Sequence, residues 1–318
     1  MSYPGPDLDP SKTRRRRPRA RTVALAALVP GALVGWLVYQ AVGAPGGPDG
    51  AAEPSSSTAG APAPTGSAPT AASTTAAGDD AKKPGGATAG PADGPLRGKV
   101  VVVDPGHNPD NFQHTAEINR KVDIGTNWKE CDTTGTSTDD GYAEARFTLD
   151  VARRLRTLLE EQGATVRFTQ DGDRPWGPCV DERARIGNEA HADAAISIHA
   201  DGAPVGDRGF HVILPASVHS GAADTRPILT ASTDLGERIA GTFVRVTGSA
   251  PANYVGDGTG LVTREDLGGL NLSTVPKVFI ECGNMRDSKD AALLTSSGWR
   301  QKAARGISEG IVSFLHGS

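Results

Sequence analysis

The run Lys99–Asp104 (KVVVVD) constrains this chain's fold more than any other segment. Four consecutive valines offer no polar face, so the strand they predict is buried on both sides. Strands of that kind belong to mostly parallel sheets covered by helices on both faces. The sequence that follows agrees. Residues 144–162 place Phe147, Val151, Leu155, Leu158 and Leu159 at helical spacing, and Gly163 follows as a stop. Strands are predicted at Thr165–Thr169, Ala194–His199, Phe210–Leu214 and Lys277–Glu281, and helices at Asp181–Ala190, 229–246 and Gly298–Phe314. This alternation predicts one α/β domain over residues 96–318, with a mostly parallel, mixed and twisted sheet flanked by helices. About 220 residues suffice for a single core.

The chain before Leu96 differs in kind. Residues 1–21 hold seven basic and two acidic residues, a net +5, in a chain of net −4, so the remainder carries −9. An acidic body argues against nucleic-acid binding, which needs a basic face on the folded domain. Val23–Val42 is free of charge and long enough to span a bilayer, which takes about 20 residues. The basic stretch 1–21 reads as its cytoplasmic flank. Residues 22–43 are therefore expected to be a membrane anchor or a signal segment, with everything after residue 44 exported. Residues 44–95 are mostly Ala, Pro, Gly, Ser and Thr without an aromatic residue, and read as a disordered tether. A flexible coil of that length reaches on the order of 40 Å.

Three cysteines lie in the exported part, where disulfides persist. None has C-x-x-C spacing. Cys131 and Cys179 both sit in Gly/Pro/Thr-rich loop sequence and are the preferred pair. Cys282 follows an apolar strand and is expected to be buried.

The residues able to do chemistry gather at predicted strand ends. His107 follows the strand 99–104 past Pro105-Gly106, His199 ends the strand 194–199, Glu281 ends the strand 277–281, and Glu144 opens a long helix. Ligands bind outside the carboxyl ends of the strands in open α/β sheets, so such positions converge in space. Two histidines and a carboxylate form a ligand set for catalytic zinc, and a second carboxylate can then move the proton of an attacking water. H-E-x-x-H and G-x-S-x-G are both absent. Each residue also has a plainer reading. His107 and His199 could cap backbone groups or end a buried strand, and Glu144 could be a favourable acid at a helix N-terminus. Glu281 after Val-Phe-Ile is harder to explain as scaffold, because a charge there is costly unless paired. His211 is the nearest rival among the remaining histidines, and Asp104 reads as support beneath the site.

Four segments resemble a family. VVVDPGHNPDN (101–111) is similar to the first motif of the zinc-dependent N-acetylmuramoyl-L-alanine amidases of type 3, whose histidine after D-P-G binds zinc. The segment 143–173, from Glu144 through the helix to T-x-D, resembles the second motif. SIHAD (197–201) resembles the third, and VPKVFIECGNM (275–285) the last. The resemblance covers about residues 97–316 and implies one zinc ion on His107, Glu144 and His199, with Glu281 as catalytic base. It implies hydrolysis of the amide joining the lactyl group of N-acetylmuramic acid to the first L-alanine of the stem peptide. Peptidoglycan or a muropeptide would be the substrate, in the cell envelope, for a protein expected to be a monomer. Asn108 and Pro109 replace the family's usual Gly-Gly, and the longer stretch 108–143 resembles actinobacterial members. That insertion keeps Glu117 and Glu130 as alternatives for the second ligand, while Arg264, Asn271 and Asn284 are candidate substrate contacts. The rival functions are a zinc carboxypeptidase acting on stem peptides and a non-catalytic peptidoglycan-binding protein.

Overall fold

A computed structural model describes residues 88–89 and 94–317. The basic stretch 1–21, the apolar segment 22–43 and most of the tether 44–95 lie outside the described residues. No helix among the described residues is long and apolar enough to cross a membrane.

In chain order, Thr88–Ala89 (β1) and Val100–Pro105 (β2) precede a single helical turn, Thr115–Ile118 (α1), and two short strands, Lys121–Asp123 (β3) and Trp128–Glu130 (β4). Glu144–Glu161 (α2), Thr165–Phe168 (β5), Val180–Glu189 (α3) and Ala194–Asp201 (β6) follow. Then come His211–Pro215 (β7), His219–Ser220 (β8), Ala223–Asp224 (β9), Leu229–Thr247 (α4) and Leu261–Arg264 (β10). Gly268–Asn271 (α5), Lys277–Asn284 (β11), Ser288–Leu294 (α6) and Ser297–His316 (α7) complete the domain. The main sheet has the order β1-β5-β2-β6-β11-β7-β10. Its centre, β5-β2-β6-β11, is parallel. β1 is antiparallel to β5, and β7 is antiparallel to β11, so the sheet is mixed. Thr88 and Ala89 thus extend the sheet with residues from the stretch read as tether.

The valine run behaves as its pattern requires. Val101 and Val103 join Ile196, Ile198, Val278, Ile280 and Val212 in the main core under α2, α4 and α7. Val102 points the other way and packs with Ala195, Ala190, Ala192 and Val275. The second face continues with Ile213 and Phe279 against Leu270. It is less fully covered by helices, and toward the carboxyl ends of β2, β6 and β11 it turns polar.

The insertion 108–143 covers part of that polar end. Cys131 is bonded to Cys179, which ties the insertion to the start of α3, around Val122 and Ile124. Cys282 is free and buried.

Beneath this end lies a buried ionic cluster. Asp104, fully buried at the end of β2, accepts hydrogen bonds on Oδ1 from Thr169 (2.6 Å) and Arg183 (2.7 Å). Its Oδ2 accepts from Ser197 (2.9 Å) and Lys277 (3.1 Å). Arg183 also donates to Pro105 O at 2.7 Å and to Asp132 Oδ2 at 2.9 Å. Burial by itself would raise the Asp104 pKa, but Lys277 and Arg183 outweigh it and hold the carboxyl well below the usual range. Burial also opposes the Asp132 charge, yet Arg183 and His107 bring that pKa down to about 2.

Removing one partner of such a cluster leaves buried charges uncompensated. Asp104→Ala is expected to destabilise the domain by roughly 3–5 kcal/mol in denaturant unfolding. The acid response has a definite sign. A carboxyl whose folded pKa is depressed contributes stability that is present above its unfolded pKa, about 3.9, and lost as pH falls through the folded value. Unfolding free energy should therefore drop between about pH 4 and about 2, the window set by Asp132, and Asp132→Asn should flatten that drop. An unchanged slope in Asp132→Asn would contradict the pairing.

Candidate metal centre

The chain leaves β2 through Pro105 and Gly106, and the glycine is obligatory on spatial grounds. A Cβ on Gly106 would lie 2.3–2.6 Å from the His199 ring atoms. His107 follows with φ 62°, a left-handed conformation that a non-glycine residue seldom adopts. Its Nδ1 lies 3.1 Å from Thr133 O and 3.4 Å from Asp132 Oδ1. The same Asp132 carboxylate, through its other oxygen, meets Arg183, so the ionic cluster reaches the imidazole. This leaves His107 Nε2 facing the site, 3.2 Å from Glu144 Oε2.

Glu144 is the first residue of α2 and is buried. Its Oε2 accepts from Thr136 N at 2.9 Å, and its Oε1 accepts from Ala200 N at 3.2 Å. Oε1 also lies 2.9 Å from His199 Nδ1. The insertion must come close here. Gly135 has φ 71°, and a Cβ on it would fall 2.6 Å from Glu144 Oε2 and 2.7 Å from His107 Cδ2.

His199 lies in β6 with its ring stacked on Phe279 (centroids 5.3 Å apart) and edge-on to His107 at 5.0 Å. Glu281 is its register partner on β11, so the two side chains share one face of the sheet. Glu281 Oε2 is buried and has no hydrogen-bond partner among the described residues.

The electrostatics follow from this crowding. Burial opposes charge on His107, but Glu144 and Asp132 outweigh it and raise its pKa well above the ordinary value. Burial likewise opposes the Glu144 charge, yet the two imidazoles hold that carboxyl well below its usual range. Burial raises the Glu281 pKa, and the carboxylates of Glu144 and Asp201 push it further.

Donor atoms of His107, Glu144 and His199 lie within 4.8 Å of one another. The chemistry of this set fits a divalent zinc ion, since two imidazole nitrogens and one carboxylate are a ligand combination of catalytic zinc. His107 has the backing such a ligand needs, its far nitrogen being turned to a backbone carbonyl and a carboxylate.

Neither alternative for the second ligand belongs to this cluster of donors. Glu117, on α1, pairs with His114, and Glu130, on β4, pairs with Lys121. Arg264 is held by Asp266 at 2.8 Å. Asn271 donates to Glu265 O and Thr126, and Asn284 to Ala203 O and Asp207 O, so both brace loops. A cleft of about 210 Å³ opens beside His107 and His199, walled by Phe279, Lys129, Glu130 and Asp266. Sequence reasoning did not find Asp132, Arg183 or Lys277. A lysine or arginine at the edge of an element looks like a solvated flank until the fold shows it buried.

Imidazoles and carboxylates gathered at the carboxyl end of a mostly parallel sheet have the placement and the chemistry of a hydrolase site. The sequence comparisons refine that class. Residues 101–313 match the N-acetylmuramoyl-L-alanine amidase family (Amidase_3), and the chain belongs to it. It is 39% identical over 230 residues to the N-acetylmuramoyl-L-alanine amidase Rv3717 of Mycobacterium tuberculosis, covering 72% of this chain and 90% of that protein. The amidase Ami1 of Mycobacterium smegmatis superposes with a TM-score of 0.64 at 40% identity, over 70% of this chain and 99% of that one. The apo form of Ami1 from Mycobacterium abscessus gives 0.62 at 39% identity, over 69% and 99%. The chain is an actinobacterial-like type 3 amidase and a peptidoglycan hydrolase.

A site whose free form keeps a proton on His107 must release it to accept a metal. Zinc added to metal-free protein in weak buffer near pH 7 is expected to release about one proton or more per site. His107→Ala should abolish both zinc uptake and that release in the same titration. Uptake by His107→Ala at wild-type affinity would remove this residue from the ligand set.

Proposed function

We propose that a zinc ion held by His107, Glu144 and His199, with Glu281 as base, carries the amidase reaction outside the membrane. The observation that supports this most is the convergence of three donors within 4.8 Å, with Glu281 next to His199 in the sheet register. A zinc ion there would supply Lewis acidity, polarising a carbonyl and easing loss of a proton from water near neutral pH.

The protein's own groups do the rest. His107 Nε2 and His199 Nδ1 face Glu144, and Asp132 and Thr133 fix the His107 ring. Glu144 is oriented by two backbone N–H groups. Glu281 takes the proton of the water that attacks the lactyl carbonyl. It then passes that proton to the alanine nitrogen as the carbon–nitrogen bond breaks. Its Oε2 is buried and its side chain shares the sheet face of His199, which keeps the carboxyl at the site between the two steps. The cleft beside His107 and His199 offers room for part of the substrate.

The reaction belongs outside the membrane because its substrate is wall material. Segment 22–43 would hold or export the domain, and residues 44–95 would let it reach the wall. The disulfide between Cys131 and Cys179 agrees with an oxidising compartment.

A zinc carboxypeptidase would use the same ligand chemistry, so the product decides. Digestion of purified sacculi should expose a new N-terminal L-alanine. Release of D-alanine with sugar and peptide still joined would refute the amidase assignment. The intact Glu281 speaks against a binding-only protein. Glu281→Gln is expected to lower kcat by about 10²–10⁴-fold while zinc content stays at one per chain, as for loss of a general base. Wild-type turnover in that variant would end the base assignment.

A further inference from the structure

The proposed mechanism leaves one buried titratable group beside the base unused. His211 begins β7 and is only 5% exposed. It is the register partner of Glu281 across the antiparallel β11–β7 pair. Glu281 is also paired with His199 on its other side, so His199, Glu281 and His211 form one row across the sheet on one face. Directly opposed residues of an antiparallel pair have Cβ atoms about 4.5–5.5 Å apart, so their side chains abut.

Both members of this pair carry an unsatisfied atom. His211 Nδ1 and Glu281 Oε2 are each buried without a hydrogen-bond partner among the described residues. Buried polar atoms are seldom left so, and two on neighbouring side chains of one row are complementary, an imidazole N–H and a carboxylate oxygen. Burial, assisted by Arg264 and opposed by Asp201, brings the His211 pKa down to about 4. The ring is therefore neutral near pH 7 and carries one N–H. The ring is also held in place. Tyr254 meets it edge-on at 5.9 Å, and the Tyr254 hydroxyl is anchored by donating to Asp201 Oδ2 at 2.8 Å.

We propose that His211 is a positioning residue for Glu281, its Nδ1–H holding Oε2 so that the other carboxylate oxygen faces the attacking water. The inference rests on the assignment of Glu281 as base. A general base must lie within hydrogen-bond reach of the proton it abstracts, and a loose carboxylate spends little time there.

The test separates a hydrogen bond from packing. His211→Phe keeps an aromatic ring against Tyr254 but removes the N–H. It is expected to lower kcat about tenfold or more, with KM, zinc content and melting temperature close to wild type. The side-chain amide nitrogen of asparagine falls near the position of Nδ1, whereas that of glutamine reaches toward Nε2. His211→Asn should therefore stay within about threefold of wild-type kcat, and His211→Gln should fall with His211→Phe. Wild-type kcat in His211→Phe would overturn the proposal. Where the phenylalanine variant does not fold, equal rates for the asparagine and glutamine variants would overturn it instead. Glu281→Gln run in parallel keeps the two levels apart. An active Glu281→Gln defeats the base assignment itself, whereas an inactive Glu281→Gln beside a fully active His211→Phe defeats only the role of His211.

Discussion

The site rests on a buried carboxylate. Asp104 ends the valine strand, and a charge there would be prohibitive without Lys277 and Arg183. Those two cations come from β11 and α3, so one side chain joins the central strand to a second strand and to a helix. Thr169, just past β5, and Ser197, within β6, bring in two more strands. Arg183 then passes the contact to Asp132, and Asp132 to His107. The imidazole is thus fixed by a chain of groups that begins in the sheet. Buried ion pairs are weak arguments for net stability, because desolvation offsets much of the attraction. Their value here is geometric, since the cluster is satisfied only when five elements meet in one arrangement.

The candidate ligands depend on that arrangement as much as on their own chemistry. Gly106 lets the His199 ring pass the β2 turn, and Gly135 lets the insertion close over Glu144 and His107. Both glycines serve close approach, which adds a second requirement to the Asp-Pro-Gly-His turn beyond its backbone conformation.

Much of the fold was legible because its strands are uniformly apolar. The valine run, AAISIH and KVFIE each became central strands, and the helical spacing from Phe147 to Leu159 became α2. Strand direction was not legible, since the reversal of β7 against β11 depends on connections that local periodicity does not record. β3, β4 and β10 are three or four residues long, too short to show a period, and α5 contains two glycines. For the site, His107, His199 and Glu281 could be suspected from strand ends alone. Glu144 was suggested mainly by family likeness, because an acid opening a helix has an ordinary explanation. Arg183, Lys277 and Asp132 were hidden, because burial of a charge is a tertiary fact. His211 was noted only as a histidine in a strand, and its meaning came from the register that places it beside Glu281.

The central claim is that His107, Glu144 and His199 together hold one zinc ion. Anomalous diffraction at the zinc absorption edge, from crystals of the metal-loaded protein, tests it most directly. The account predicts one strong peak about 2.0–2.2 Å from His107 Nε2, from a His199 nitrogen and from a Glu144 oxygen. A peak at that distance from Glu130 or Asp132 in place of Glu144, or no peak between the two imidazoles, would contradict it.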